Sequence, residues 1–240
     1  MKQFYVLIGN FGSGKTEISL HIALDAAKRN KKVVMVDLDV INPYFRLAER
    51  KKEIEAAGIK LLHPNFAYAT VDVPSLPPDI YSVFIDKSDV VVFDVGGDPA
   101  GATALGQYKP NFEAIEAGQL EAGQLQVLCV VNPRRPFSAT AELVLDMLSK
   151  IQLRSRLSIN GFINNGNLST ETTAEDLRLG YDVLKRVADT TGIPVLYTAG
   201  RAAPLREFLD GKPDARYIGQ VLQITTYMHR DWDNFTRYGI

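Results

Sequence analysis

The sequence predicts a three-layer α/β/α fold, with helices on both faces of a mostly parallel sheet of about seven strands. Three observations carry that prediction. Short apolar runs recur along the chain with helix-length segments between them, the pattern of repeated βαβ units. Most runs are apolar throughout rather than alternating, so each strand expects cover on both faces. Two of them end in aspartate, where the ligand loops of an open parallel sheet sit.

In chain order, the strands are expected at Phe4–Ile8, Val33–Asp37, Ile59–Leu62, Val90–Asp94, Gln126–Val131, Leu157–Ile163 and Val195–Tyr197. Helices are expected over 16–29, 45–57, 138–152, 173–190 and 215–230, from apolar residues at helical spacing. The last of these rests on Ile218, Val221, Leu222 and Met228, one apolar stripe that reads as packing on its own domain. Pro74–Asp79 and Gly211–Pro213 read as loops. A five-residue duplication, Glu116–Leu120 and Glu121–Leu125, is too short to be a structural repeat.

Composition narrows the function classes. The chain has 240 residues, 46% of them hydrophobic, enough for one sizeable core, and no linker divides it; a single domain over 1–240 is expected. Basic and acidic residues number 27 and 28, so no global field draws the chain to nucleic acid or to anionic lipid. One cysteine, Cys129, excludes an internal disulfide and a multi-thiolate metal site, and His21, His63 and His229 share no ligand spacing. The apolar run before Gly9 is too short for a signal segment, and the polar face of 215–230 lacks the basic enrichment of membrane helices. A cytoplasmic protein without stable membrane association is expected.

The chemistry begins at the end of the first strand. Gly9-Asn10-Phe11-Gly12-Ser13-Gly14-Lys15-Thr16 matches Gly-x4-Gly-Lys-Ser/Thr in full, and it follows a strand and opens a helix, as a P-loop must. Glycines let the backbone curl round a phosphate with its N–H groups turned inward, and the helix N-terminus adds partial positive charge. Lys15 is the expected bridge to the β- and γ-phosphates, and the Thr16 hydroxyl the expected ligand for Mg2+.

Acids stand at the ends of two later strands. Val90-Val-Val-Phe-Asp94 has the shape of a Walker B strand, so Asp94 is expected to orient the metal's water, and the Gly97 amide to touch the γ-phosphate. Asp37 and Asp39 leave the second strand together, and Asp39 is the expected group polarising the attacking water. Arg134-Arg135 follows a strand-end Asn132; the pair can meet phosphates or stand as a solvated loop. Asn42–Arg46, directly after Asp39, sits where a nucleotide-sensing switch would be.

Taken together, GNFGSGKT, VVMVDLDVINPYFR and VVFDVGGDP resemble the MinD/ParA/CobQ-type P-loop nucleotide-binding proteins, with weaker likeness through VVNPRRPF and FINNGN to IPVLYTAG. The resemblance implies that Lys15 and Thr16 serve the phosphates and metal, Asp94 the Walker B role and Asp39 the activation of water. It also implies an ATPase that uses nucleotide state to control a partner protein, with a homodimer around ATP as one form. One position departs: many members carry a second lysine where this chain has Asn10, so no lysine can reach across a dimer from that site. In this the loop is similar to those of the nickel-enzyme and signal-recognition GTPases. Guanine readers carry Asn-Lys-x-Asp, absent here, which favours adenine with Asn164 or Asn165 near the base. A nucleotide-gated binding protein with negligible hydrolysis, and an ATP-dependent small-molecule kinase or ligase, are the alternatives.

Overall fold

The computed structural model describes residues 2–39, 47–63, 78–97, 99–118 and 122–225. Its centre is an eight-stranded sheet in which every neighbouring pair is parallel. The strands are β1 (Lys2–Ile8), β2 (Val33–Leu38), β3 (Lys60–Leu62), β4 (Val90–Val95), β5 (Ala122–Val131), β6 (Gly161–Asn164), β7 (Val195–Gly200) and β8 (Gln220–Gln223), ordered β3-β2-β4-β1-β5-β6-β7-β8. The helices are α1 (Lys15–Lys28), α2 (Lys51–Ala56), α3 (Pro99–Gly106), α4 (Lys109–Glu116), α5 (Ala141–Ser155), α6 (Ala174–Thr191) and α7 (Ala202–Asp210).

The uniformly apolar runs follow from this layering. Along β4, Val91, Phe93 and Val95 enter one core while Val90 and Val92 enter the other, and β2 divides Val34, Val36 and Leu38 from Val33 and Met35 in the same way. The first core packs against Leu105, Phe112, Val144 and Leu184 of α3 to α6; the second against Ile18, Ala23 and Ile54 of α1 and α2. Both faces of β2 and β4 are therefore removed from water, so an alternating pattern there would have buried polar side chains.

Local signals set the helix ends. The Thr140 hydroxyl accepts the Leu143 N–H to start α5, and Thr173 with Asp176 forms a capping box that starts α6. Gly192, in the left-handed region at φ 73°, stops α6.

Two expectations are corrected. The helix expected over 215–230 is not formed: a short 3-10 turn at Ala215–Tyr217 leads into β8, whose Gln220 pairs with Tyr197 and Gln223 with Gly200. The cause is Gly219, held at φ 65° with its α-carbon so close to Leu196 that an added Cβ would lie 2.2 Å from that residue's carbonyl. This breaks the helical stripe and turns the chain onto the sheet edge; residues 226–230 of that helix lie outside the described residues. The strand expected from Leu157 begins only at Gly161. Leu157 and Ile159 are buried as a strand would bury them, but the Asn160 side chain bonds Val127 N–H and Leu125 C=O, taking the place of ladder bonds. The helix expected over 45–57 is described from 47 as a 3-10 turn at Leu47–Arg50 followed by α2. Residues 42–46, Pro74–77 and Asp98 lie outside the described residues.

Candidate nucleotide site at the carboxyl edge of the sheet

The carboxyl ends of β1, β2, β4, β5 and β6 all open on one edge of the sheet, which brings Gly9–Thr16, Asp39, Gly96-Gly97, Asn132 and Asn164-Asn165 together. β1 lies between β4 and β5, so the loop that follows it is flanked by the Walker B-like strand on one side and the Asn132 loop on the other.

The loop Gly9–Thr16 has the backbone of a cradle. Gly9, Gly12 and Gly14 adopt φ 145°, 73° and 90°, values that a side chain would oppose. Gly14 also has no room for one, since a Cβ there would lie 2.3 Å from the Asn165 amide nitrogen. Lys15 is buried, and its Nζ donates to the Asn10 carbonyl at 3.0 Å, which closes the loop on its own amine. Across from it, a Cβ on Gly97 would lie 2.5 Å from the Phe11 amide nitrogen, so only glycine lets the loop after β4 press on the phosphate loop.

The acids lie on the β2–β4 side. Asp37 and Asp94 are register partners on adjacent strands, and both are buried. Asp94 accepts from Ser19 Oγ at 3.1 Å and from the Thr16 hydroxyl, so one helical turn of α1 presents two hydroxyls to one carboxylate. Burial pushes Asp94 up to about 6, against the lowering effect of Thr16 and Lys15 and with the charge of Asp39 adding to the rise. Asp37 goes further, up to about 8, because burial is joined by the nearby charge of Asp94. The Asp39 N–H donates to Asp37 at 3.0 Å, which fixes the turn by which Asp39 leaves the sheet. Ser19 escaped the sequence reading, although its place three residues after Thr16 on one helix face was a usable signal.

The β5–β6 side carries amides. Asn165 donates to the Ser13 carbonyl at 2.7 Å and so braces the phosphate loop from below, while its Oδ1 has no protein partner. Asn164 is committed to α6: it donates to the Leu177 carbonyl at 3.0 Å, and a Cβ on Gly180 would sit 2.0 Å from its oxygen. Asn132 donates to Asn167 C=O and accepts from the Arg134 N–H.

Of the remaining expected contacts, Asn10 is turned outward and donates to the Phe137 carbonyl at 2.9 Å, and Phe11 stands 65% exposed. Behind Gly9 and Gly97 an apolar pocket of about 340 Å3 opens between the loops and α5, lined by Ile8, Ala102, Met147 and Ile151.

The donor set suits a hard cation. Thr16 and Asp94 offer oxygen, and among the described residues no group of three or more His, Cys, Asp or Glu could hold a metal ion by itself. Two oxygen donors are what a Mg2+ ion that keeps water and nucleotide phosphates as most of its ligands would need from the protein. No helix among the described residues is long and apolar enough to cross a membrane.

Comparison with known proteins agrees with this geometry. The family model for the CobQ/CobB/MinD/ParA nucleotide binding domain matches residues 6–199. In fold the chain is similar to cell division protein FtsY from Thermotoga maritima, with a TM-score of 0.56 and 18% identity over 85% of this chain and 63% of that one. It is similar also to chloroplast FtsY from Physcomitrella patens, at 0.55 and 18% over 88% and 64%. A third is the signal recognition particle receptor FtsY from Elizabethkingia anophelis in complex with GDP, at 0.51 and 17% over 83% and 57%. The chain thus spans less than two thirds of the length of these proteins, and identities this low speak to the fold alone. No curated protein matches the sequence significantly.

Proposed function

Since the chain belongs to the CobQ/CobB/MinD/ParA nucleotide-binding domain family, we propose that it binds MgATP at Gly9–Thr16, hydrolyses it, and uses the nucleotide state to control a partner protein. The observation that carries this reading is the meeting of Lys15, Thr16 and Ser19 with a buried carboxylate, Asp94, at the end of β4. A buried acid raised to about 6 is costly to keep unless a cation arrives. In this reading the loop amides and Lys15 hold the β- and γ-phosphates, while Thr16 and Asp94 hold the metal and one of its waters. Mg2+ when bound supplies charge to the phosphate oxygens. Asp39 orients the attacking water, and the Gly97 amide faces the γ-phosphate. Phosphoryl transfer asks for positioning and charge more than covalent help, which is what these residues offer. Adenine over guanine rests on the missing Asn-Lys-x-Asp sequence.

Titration calorimetry with MgATP and MgGTP, on the wild type and Lys15→Ala, tests the reading. Binding of MgATP is expected, weakened by about 100-fold or more in the variant. Absence of heat with both nucleotides would end it, and a clear preference for MgGTP would overturn the base assignment only.

A small-molecule kinase or ligase is the second reading. It is favoured by the apolar pocket behind Gly9 and Gly97, which touches the phosphate loop as an acceptor site would. A burst of ADP that depends on an added metabolite would support it over the ATPase.

A further inference from the structure

We propose that Arg135 is a catalytic residue, a cation from within the same chain that contacts the terminal phosphates and supplies the charge missing at Asn10. The assignment rests on the reading of Gly9–Thr16 as a phosphate site.

The two arginines that are adjacent in sequence part company in the structure. Arg134 pairs with Asp176 at 2.6 Å and so belongs to the capping of α6. Arg135 turns the other way and lies on the phosphate loop: its Nε donates to the Gly12 carbonyl at 2.9 Å. The contact is close enough that a Cβ on Gly12 would lie 3.1 Å from Nε and 3.4 Å from the guanidinium carbon. Anchoring through Nε leaves both Nη groups of a rigid, planar fork without a protein partner among the described residues. That fork is what two phosphate oxygens accept best. Gly12 sits one residue before Ser13 and three before Lys15, so a phosphate held by the loop amides lies beside the guanidinium.

The segment that carries Arg135 is held to its place. Arg135 N–H donates to Asn132 C=O, Ser138 N–H donates to Arg135 C=O, and the Ser138 hydroxyl returns to Asn132 C=O at 2.7 Å. Pro133 and Pro136 stiffen it further. The Asn10 side chain ties the same segment to the loop a second time through Phe137 C=O. The residue at the position of the absent lysine therefore helps seat the segment that brings the arginine.

Charge makes the same demand. Asp39 and Asp94 bring carboxylates to this edge, and Lys15 is the buried cation beside them among the described residues. A magnesium-bound triphosphate brings further net negative charge, and its transition state spreads more onto the γ-phosphoryl oxygens. An arginine at that point stabilises the transition state over the ground state, which is how such residues raise kcat.

The test uses the full chain with Arg135→Ala, Arg135→Gln and Arg135→Lys, calorimetry with MgATP and MgADP, and single-turnover phosphate release. Arg135 is exposed, so all three variants should melt as the wild type does. Arg135→Ala and Arg135→Gln are expected to weaken MgATP about 10-fold while leaving MgADP nearly unchanged, and to slow the single turnover about 100-fold. Arg135→Lys should keep part of the rate, and guanidinium ion added to Arg135→Ala should restore some of it. Equal loss for MgATP and MgADP would reduce Arg135 to a support of the loop and overturn the assignment, as would wild-type behaviour in both nucleotides. A wild type that binds neither nucleotide would remove the phosphate site itself, which is a different failure and is visible before any variant is made.

Discussion

The two flanks of β1 end in different chemistry. On the β4–β2 side the buried polar groups are carboxylates, Asp94 and Asp37, and on the β5–β6 side they are amides, Asn132, Asn164 and Asn165. The amides are absorbed by the scaffold: each donates to a backbone carbonyl at 2.7–3.0 Å, and two of those carbonyls belong to the phosphate loop and α6. The carboxylates are not absorbed. They sit on adjacent strands: Asp94 raises Asp37 and Asp39 raises Asp94. The hydroxyls of Thr16 and Ser19, the charge of Lys15 and the backbone N–H groups of Asp39 and Leu47 offset only part of the rise. A buried amide with its bonds made stabilises the fold, whereas a buried carboxylate without a cation destabilises it. Position alone therefore does not distinguish function from structure at this edge; the charge of the buried group does.

The strongest way to break that contrast is Asp94→Asn. The amide keeps the shape and can still meet Ser19, but it loses the charge that orients the metal. Turnover is expected to fall about 1000-fold, and the melting temperature without Mg2+ is expected to rise, because burial no longer opposes a charge. Turnover within tenfold of wild type, measured by phosphate release at saturating MgATP, would contradict the metal role. Asp39→Ala comes next. Here the loss falls on the water and not on the nucleotide, so the rate should drop about 100-fold with affinity within a few-fold. Equal losses in affinity and rate would show that Asp39 holds the nucleotide instead.

Stability against pH sharpens the comparison from the side of the carboxylates alone. Asp37 and Asp94 titrate near 8 and 6 in the folded chain, against about 4 in the unfolded one. The folded state therefore holds more protons throughout that window, and stability falls as pH rises from about 4 to about 8. The slope reaches about 1.4 kcal/mol per pH unit for each proton involved. Below the window both states are protonated and the effect is gone. Denaturation by urea at several pH values should show it, and saturating MgATP should flatten the curve by bringing a divalent cation beside Asp94. A curve that rises from pH 5 to pH 8 without nucleotide would contradict the buried state of these acids.

Much of this was legible in the sequence where one cause acts alone. The repetition of apolar runs follows from double-sided burial of the central strands, so the strands of the first half were placed within a residue or two from pattern. The turn between β1 and α1 was legible because its glycines answer a backbone demand, and Gly9, Gly12 and Gly14 all adopt positive φ. Legibility ended where tertiary contact decides. Ile218, Val221 and Leu222 hold helical spacing, yet Gly219 and the open edge of β7 make that segment a strand. The short helices α3, α4 and α7 were not foreseen; for α3 the reason is that Pro99–Gly106 is rich in Gly and Ala and has no polar face to mark it. Arg134 and Arg135 looked equivalent, and only the fold sends one to Asp176 and the other to Gly12.

The smallest expected effect separates the two asparagines of β6 and its loop. Asn164→Ala removes a buried hydrogen bond to Leu177 C=O inside α6 and opens space beside Gly180; a loss of about 1–3 kcal/mol in stability is expected with nucleotide affinity unchanged. Asn165→Ala removes the donor to Ser13 C=O, and the same range of stability loss applies. Here, however, the orphaned carbonyl belongs to the phosphate loop itself, and the space under Gly14 is opened at the same time. A loop that is no longer braced must be ordered by the nucleotide, so MgATP affinity should fall by about 3- to 10-fold, and by the same factor for MgADP, since both use the same amides. Urea unfolding and calorimetry on the two variants read the two quantities separately. If Asn164→Ala also loses affinity, the amide flank is not divided between scaffold and site as the hydrogen bonds indicate, and α6 would have to be counted as part of the nucleotide's support.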